Sequence, residues 1–291
     1  MQKEITITDI KKLFTKRNKD ANKGDFGRVG IIGGSINYSG AIKLATMSLS
    51  TLRSGAGLVR VIIPENILPL VLPNLLEQTC FPYQTIEDIK ESIKGLDALA
   101  IGMGWSKREE HLEILKYILE NYEGNLIIDA DGLNTLAGHL ELLHNTKSNI
   151  VLTPHLKEFS RLTNLSIEEI KKNTVELITE FAKKYHVTVL LKGHTTIITN
   201  GIDVYTVTCG TPGMATSGSG DVLSGILVGL LGYLEFNLLT ISAATLLNGV
   251  SGSIAEEKYT DIAMIASDTV NAIPEAIKKI REEETHERNF I

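Results

Sequence analysis

From Arg28 onward the chain alternates short apolar runs with stretches whose apolar positions recur at the helical period. The runs Val29–Gly33, Leu58–Ile63, Ala98–Gly102, Leu126–Asp129, Ile150–Thr153 and Val187–Lys192 are β-branched or continuously apolar. Most end in Gly, Pro or Asp, as strands buried on both faces do. Between them Ser39–Ser54, Ile67–Glu77, Ile86–Ile93, Arg108–Asn121 and Leu133–His144 read as helices. Ser166-Ile-Glu-Glu169 is a capping box that opens a helix running to about Lys184. This alternation predicts right-handed βαβ crossovers: an α/β fold with a mostly parallel central sheet and helices on both faces. After Lys192 the rhythm changes. Thr195–Thr199, the turn Asn200-Gly201 and Val204–Thr208 predict an antiparallel hairpin, and three helices follow, Val222–Leu234, Leu238–Tyr259 and Ile265–Glu284. No Pro/Ser-rich linker, low-complexity tract or internal repeat divides the chain, so a single domain over 1–291 is expected, with the charged stretch Glu282–Ile291 fraying.

Composition sharpens this picture. Of 291 residues 43% are hydrophobic but only 5% aromatic, which suits an aliphatic core of the kind parallel sheets prefer. A formal charge of -6 without a basic stripe argues against nucleic acid as a partner. Small anionic ligands stay open, because a few backbone amides and one lysine bind phosphate inside an acidic protein. Cys80 and Cys209 show neither metal-ligand spacing nor a disulfide framework and are expected to pack as small apolar groups. Met1 to Leu13 is too charged for a signal peptide, and Val222–Leu234, with Ser224 and three glycines, is too short to span a bilayer. No membrane partner is expected, and the cytoplasm is the expected location. Small-residue stretches such as Ser242–Ser253 suit either a homo-oligomer contact or packing within the chain.

The most informative segment is Gly210-Thr-Pro-Gly-Met-Ala-Thr-Ser-Gly-Ser-Gly-Asp221, joined at once to an apolar helix. Gly218 and Gly220 leave the backbone unshielded, and the first turn of a helix offers unpaired N–H groups at the positive end of its dipole. Together they make an anion hole sized for a phosphoryl group. A carboxylate there does not help bind phosphate. Asp221 makes sense as a general base for a hydroxyl that attacks phosphorus. The blander alternative is a tight turn capped by Asp221. The segment lacks the Gly-Lys-Ser/Thr of a P-loop, and Gly102-Met-Gly104 does not continue into a dinucleotide fingerprint.

Other constellations cluster at predicted strand ends. Lys192-Gly-His-Thr-Thr196 suits contact with nucleotide phosphate or ribose, or is a hairpin turn with a solvated lysine. In Thr153-Pro-His155-Leu-Lys-Glu158, His155 can hydrogen-bond a substrate amide or hydroxyl and Glu158 can orient water around Mg²⁺; surface decoration is the alternative. Asp129-Ala-Asp131-Gly-Leu-Asn134 puts both carboxylates on one side if the strand continues, for metal or ribose contact, or caps a helix. Gly33-Gly34-Ser35 with Tyr38-Ser-Gly-Ala41 offers amides to a second phosphate or a substrate edge. Trp105 either stacks on a planar ring or packs.

Read in order, several segments resemble the ADP-dependent NAD(P)H-hydrate dehydratases, a family of the ribokinase-like superfamily. They are Gly27-Arg-Val-Gly-Ile-Ile-Gly-Gly-Ser, Ser39-Gly-Ala41, Arg53-Ser-Gly-Ala-Gly, Gly102-Met-Gly104, Asp129-Ala-Asp-Gly-Leu-Asn, Thr153-Pro-His-x-x-Glu-Phe, Leu191-Lys-Gly and Pro212-Gly-Met-Ala-Thr-Ser-Gly-Ser-Gly-Asp-Val-Leu-Ser-Gly. The likeness covers nearly the whole chain. It implies a ribokinase-like fold and a hydro-lyase that restores NADH or NADPH from the hydrated cofactor, with ADP as phosphoryl donor and Mg²⁺ as cofactor. By the same likeness Ala41, Gly104, His155 and Asp221 contact the hydrated nucleotide, and Asp221 acts as the catalytic base. Lys192, Gly193, His194, Thr195, Thr196 and Gly220 line the adenine-nucleotide site. No metal ligands are implied. The epimerase domain that many members carry is not expected here. Where members often have Asn-Pro-Gly and Gly-Gly-Thr-Gly-Asp, this chain has Thr211-Pro-Gly and Ser217-Gly-Ser-Gly-Asp. Two rivals share the anion hole: a ribokinase-like kinase of a thiazole or pyrimidine alcohol, and a nucleotide sensor that would not need Asp221.

Overall fold

Alternation along the strands decides the architecture. In the computed structural model, which describes residues 2–49 and 53–283, ten strands form one sheet. They are β1 Gln2–Glu4, β2 Arg28–Ile32, β3 Leu58–Pro64, β4 Thr79–Tyr83, β5 Ala98–Ile101, β6 Asn125–Ile128, β7 Asn149–Leu152, β8 Thr188–Leu191, β9 Thr195–Thr199 and β10 Val204–Thr208. Their order is β1-β10-β9-β8-β7-β6-β5-β2-β3-β4, antiparallel at β8/β9 and β9/β10 and parallel elsewhere. Val29 and Ile31 of β2, Ala98 and Ala100 of β5 and Ile127 of β6 join one apolar layer. Their neighbours Ile32, Leu99, Ile101, Leu126 and Ile128 join the other. Each face therefore needs its own helices.

One face takes the helices Ser39–Leu49, Ser219–Leu231, Leu238–Ala263 and Ala266–Glu282, and the other takes Ile86–Ile93, Glu109–Asn121, Leu156–Thr163 and Thr174–Tyr185. Within Ser219–Leu231, Val222, Leu223, Ile226, Leu227, Val228, Leu230 and Leu231 are all buried; each contributes roughly 1.5–3 kcal/mol of burial. Gly232 just beyond the helix lets it sit close: a Cβ there would lie 2.3 Å from the Val29 side chain. Leu238–Ala263, at 26 residues, is long and apolar enough to cross a membrane, yet 83% of its most apolar window is buried inside the protein, so it is a core helix. Ser242, Ala243, Ala244, Gly249, Ser251 and Gly252 are among those buried residues. The small residues thus serve packing within the chain, the second of the two readings that Ser242–Ser253 left open.

The six predicted strands and the hairpin are found within a residue or two of their expected bounds. Two strands escape the reading. β1 is three exposed residues, and β4 contains Pro82. Some expected helices are broken for local reasons. Ile67–Glu77 is a 3₁₀ turn, one turn of α-helix at Leu68–Val71 and another 3₁₀ turn, because Pro69 and Pro73 interrupt the ladder. Leu133–His144 breaks at Gly138, whose φ is 89°, and the helix after Ser166 breaks at Asn173. Residues 50–52 of the expected Ser39–Ser54 helix, and all but the start of the tail, lie outside the described residues.

Candidate active site

The chain runs outward from β2 to β4 and then returns to β5 on the other side of β2, so the order reverses there. Ligands of open α/β sheets bind beyond the carboxyl ends of the strands at such a switch. Nearly every segment singled out above ends a strand on this rim.

The floor is ionic. Lys192, one residue past β8, places its Nζ 2.7 Å from Asp129 Oδ1 and 3.7 Å from Glu158 Oε2. Ser224 Oγ donates to the other oxygen of Asp129 at 2.6 Å. Burial alone would raise the carboxyl's pKa, but Lys192 and the hydrogen bonds outweigh it and hold Asp129 below the ordinary range. Burial likewise opposes the charge on Lys192, and Asp129 and Glu158 overcome it, so its pKa is raised. Both groups are charged and mutually satisfied.

Above this floor stands the glycine-rich tip. Gly218, with φ 95°, caps the Ser219–Leu231 helix in the left-handed region. A Cβ at Gly218 would lie 2.3 Å from the tip of the Leu44 side chain, at a φ that L side chains rarely adopt, so glycine suits the contact with the Ser39–Leu49 helix. Among the described residues none supplies an acceptor to the Gly220 and Asp221 amides. Residues 217–221 are exposed or half-buried, so the tip opens to solvent. Gly220 sits directly over the lysine: a Cβ on it would be 3.6 Å from Lys192 Nζ. Asp221 follows, and burial, reinforced by Asp129, pushes its carboxyl up to about 7 even though Lys192 pulls the other way. A general base serves best with a pKa near the working pH.

The expected substrate side is a second contact group. Gly104 has φ 62°, and a Cβ there would lie 2.5 Å from Tyr38 O and 2.8 Å from Ala41 Cβ. The loops after β2 and β5 therefore touch through Ala41 and Gly104, and Ser35 Oγ bonds Gly104 O at 2.9 Å. This group joins the tip through Leu44. His155 is exposed and caps the Leu156–Thr163 helix: its Nδ1 accepts from Glu158 N at 3.1 Å, which leaves the proton on Nε2. Burial first, then Lys192 and Arg161, lowers its pKa. The imidazole is a neutral, partly exposed donor whose Nε2 lies 3.5 Å from Glu158 Oε1.

Some expectations change. The chain does not continue as a strand past Asp129; it turns at Ala130, with φ 47° and ψ -116°. That conformation costs an L-residue about 1–3 kcal/mol. The two carboxylates consequently part: Asp129 faces Lys192, while Asp131 accepts from Ser106 N at 2.7 Å and from Asn134 Nδ2 at 3.1 Å. The Gly33 and Gly34 amides are not free for phosphate, since they bond Ile62 O and Met103 O at 3.3 and 2.8 Å. Trp105 packs: it is fully buried, stacked on His111 and hydrogen-bonded to Tyr83. Gly193, His194 and Thr195 lie exposed on the rim, whereas Thr196 is buried with its hydroxyl on Gly193 O. Thr195 shares a hydroxyl contact with Thr208. Ser224 was missed. Its position one helical turn after Asp221, on the same face, was the available signal.

A parallel-centred α/β sheet with a phosphate-ready helix tip and a carboxyl beside it defines a ribokinase-like protein. A ribokinase-like superfamily protein from Enterococcus faecalis superposes with TM-score 0.84 at 28% identity, over 97% of each chain. A sequence profile described as NAD(P)H-hydrate dehydratase matches residues 29–275, and the chain belongs to that family. It is 34% identical to an ADP-dependent (S)-NAD(P)H-hydrate dehydratase from Nitrosopumilus maritimus, over 95% of this chain and 97% of that protein. It is also 35% identical to a bifunctional NAD(P)H-hydrate repair enzyme from Thermofilum pendens, over 92% of this chain and 53% of the relative. The chain thus spans about half the length of the bifunctional relatives it matches.

Proposed function

We propose that the protein dehydrates hydrated NADH and NADPH, using ADP as phosphoryl donor, and so repairs nicotinamide nucleotides. The observation that carries this reading is Asp221, a carboxyl poised near neutrality beside helix-tip amides that have no acceptor among the described residues. Family membership and the activity named for the Nitrosopumilus maritimus relative support it.

The hydrated ring carries a hydroxyl on the carbon next to its nitrogen, and hydroxide leaves poorly. Asp221 accepts the hydroxyl proton as the oxygen attacks the terminal phosphorus of ADP. The bond to the bridging oxygen breaks and AMP departs, while the Gly220 and Asp221 amides hold the migrating phosphoryl group. The ring nitrogen's lone pair then expels phosphate, and loss of a ring proton restores the double bond. Lys192 donates a hydrogen bond to the ionised Asp129 and lies within reach of the phosphates over Gly220. Ala41, Gly104 and His155 border the dinucleotide; Gly193, His194, Thr195 and Thr196 border the adenine nucleotide. Mg²⁺ supplies charge neutralisation on transferring phosphates. No group of three or more metal-binding side chains occurs among the described residues, and Asp129 and Glu158 are turned to Lys192, so the described residues offer no cage for the ion and no step here depends on one.

The test is hydrated NADH with ADP and ATP compared side by side. Restored absorbance of the reduced ring with release of AMP and phosphate is expected, and loss of that turnover in Asp221→Asn with nucleotide binding nearly intact. A stable phosphate ester would make the protein a kinase instead.

A further inference from the structure

At the other end of the Ser219–Leu231 helix lies a cleft of about 700 Å³, bordered by Lys16, Arg17, Arg53 and Arg281 and by one carboxylate, Asp25. The volume is that of a small-molecule site. In a chain of net charge -6 such an excess of cations is unusual. None of the four forms an ion pair with a described carboxylate, and Asp25 spends an oxygen on Asn22 N and Nδ2 at 2.8 and 3.0 Å. Two of the three guanidinium groups are nevertheless held. Arg281 donates to Phe14 O and to Thr15 O, and Arg17 donates to Gly55 O.

The positive charge is not there to cap the helix. Leu230 O already accepts from Tyr233 N and Leu234 N at 3.2 and 2.9 Å, and Leu231 O from Asn125 Nδ2 at 2.9 Å. An aromatic wall lies beside the cations. Arg17 stacks 3.5 Å over Phe26, and Tyr233 meets the same ring edge-on at 6.1 Å. Two fixed guanidinium groups with no anionic partner among the described residues, beside a ring-bearing wall, match a phosphate attached to a planar ring.

We propose that this cleft is a second binding site, for an organic phosphate bearing a planar ring, with Lys16, Arg17, Arg53 and Arg281 holding the phosphate and Phe26 and Tyr233 flanking the ring. The helix of 13 residues separates it from the Asp221 tip by about 20 Å.

Calorimetric titration of the full chain with ADP and with inorganic pyrophosphate tests it. Lys16 and Arg53 are exposed and bond no described residue, so Lys16→Glu/Arg53→Glu is expected to fold and to keep its turnover. That variant is expected to bind one ADP fewer per chain than the unaltered protein. Pyrophosphate is expected to compete for the lost site at least ~10-fold more weakly than ADP, the ring accounting for about 1.4 kcal/mol. Equal ADP stoichiometry and affinity in the two proteins would overturn the site. Equal affinity for ADP and pyrophosphate would overturn the role given to the aromatic wall. Loss of turnover with both sites retained would count against the dehydratase reading alone.

Discussion

Asp221 and Asp129 are the same residue type on one rim, yet the protein sets their ionisation in opposite directions. Asp129 is pinned by an ammonium and a hydroxyl; Asp221 has desolvation and a like charge against it. Two outcomes follow for Asp221. Its pKa of about 7 makes kcat/KM climb tenfold per pH unit below that value and level off above it. A carboxyl whose folded pKa exceeds its unfolded 3.8 stabilises the fold fully below pH 3.8, and that contribution is lost as pH rises through about 7. Asp221→Asn is therefore expected to exceed the unaltered protein in stability at pH 8 by about 1–2 kcal/mol, allowing for screening, with the gain gone near pH 4. Chemical denaturation at the two pH values reads this directly. The Lys192 pair carries the opposite expectation. Lys192→Met leaves Asp129 charged and buried, costing about 3–5 kcal/mol, against about 1.5–3 kcal/mol for Ser224→Ala. Sequence marked Asp129 and Lys192 separately as ligand contacts. Their pairing across β6 and β8 was not legible, because sixty-odd residues and an intervening strand separate them.

Among elements, the Ser219–Leu231 helix was the most readable. Its glycines, its aspartate and its unbroken apolar run all report the same constraint, a bare tip on a buried body. Helices that broke did so where backbone chemistry outweighs periodicity, at Pro69, Pro73, Gly138 and Asn173. Gly104 shows how much a loop can demand. Gly104→Ala must fit a Cβ between Tyr38 O and Ala41 at a φ of 62°. The variant is expected to lose about 1–2 kcal/mol of stability. Its KM for the hydrated dinucleotide should rise several-fold while the KM for ADP stays put. Equal changes in both constants would remove Gly104 from the dinucleotide side.

For the molecule as a whole, the parallel centre and the hairpin follow from period and turn residues, and the switch point at β2 then locates the rim. The sheet's outer edges were less legible. β1 holds only Gln2, Lys3 and Glu4, too few and too polar to announce a strand, and its pairing with Val204–Thr206 is wholly non-local. It does edge duty: charged residues cover a threonine- and valine-rich strand that would otherwise present bare amides. Removing residues 2–6 deletes this cover together with buried Ile5 and its bond to Thr206 O. The shortened protein is expected to melt several degrees lower and to scatter light on concentration, with soluble material keeping its turnover.

During synthesis that cover has a long wait. β1 leaves the ribosome long before the strand that claims it, since Gln2 finds Val204 only after the parallel centre has been made. Until then Gln2–Glu4 have no strand to pair with, and their docking is a late seal that records completion of the hairpin.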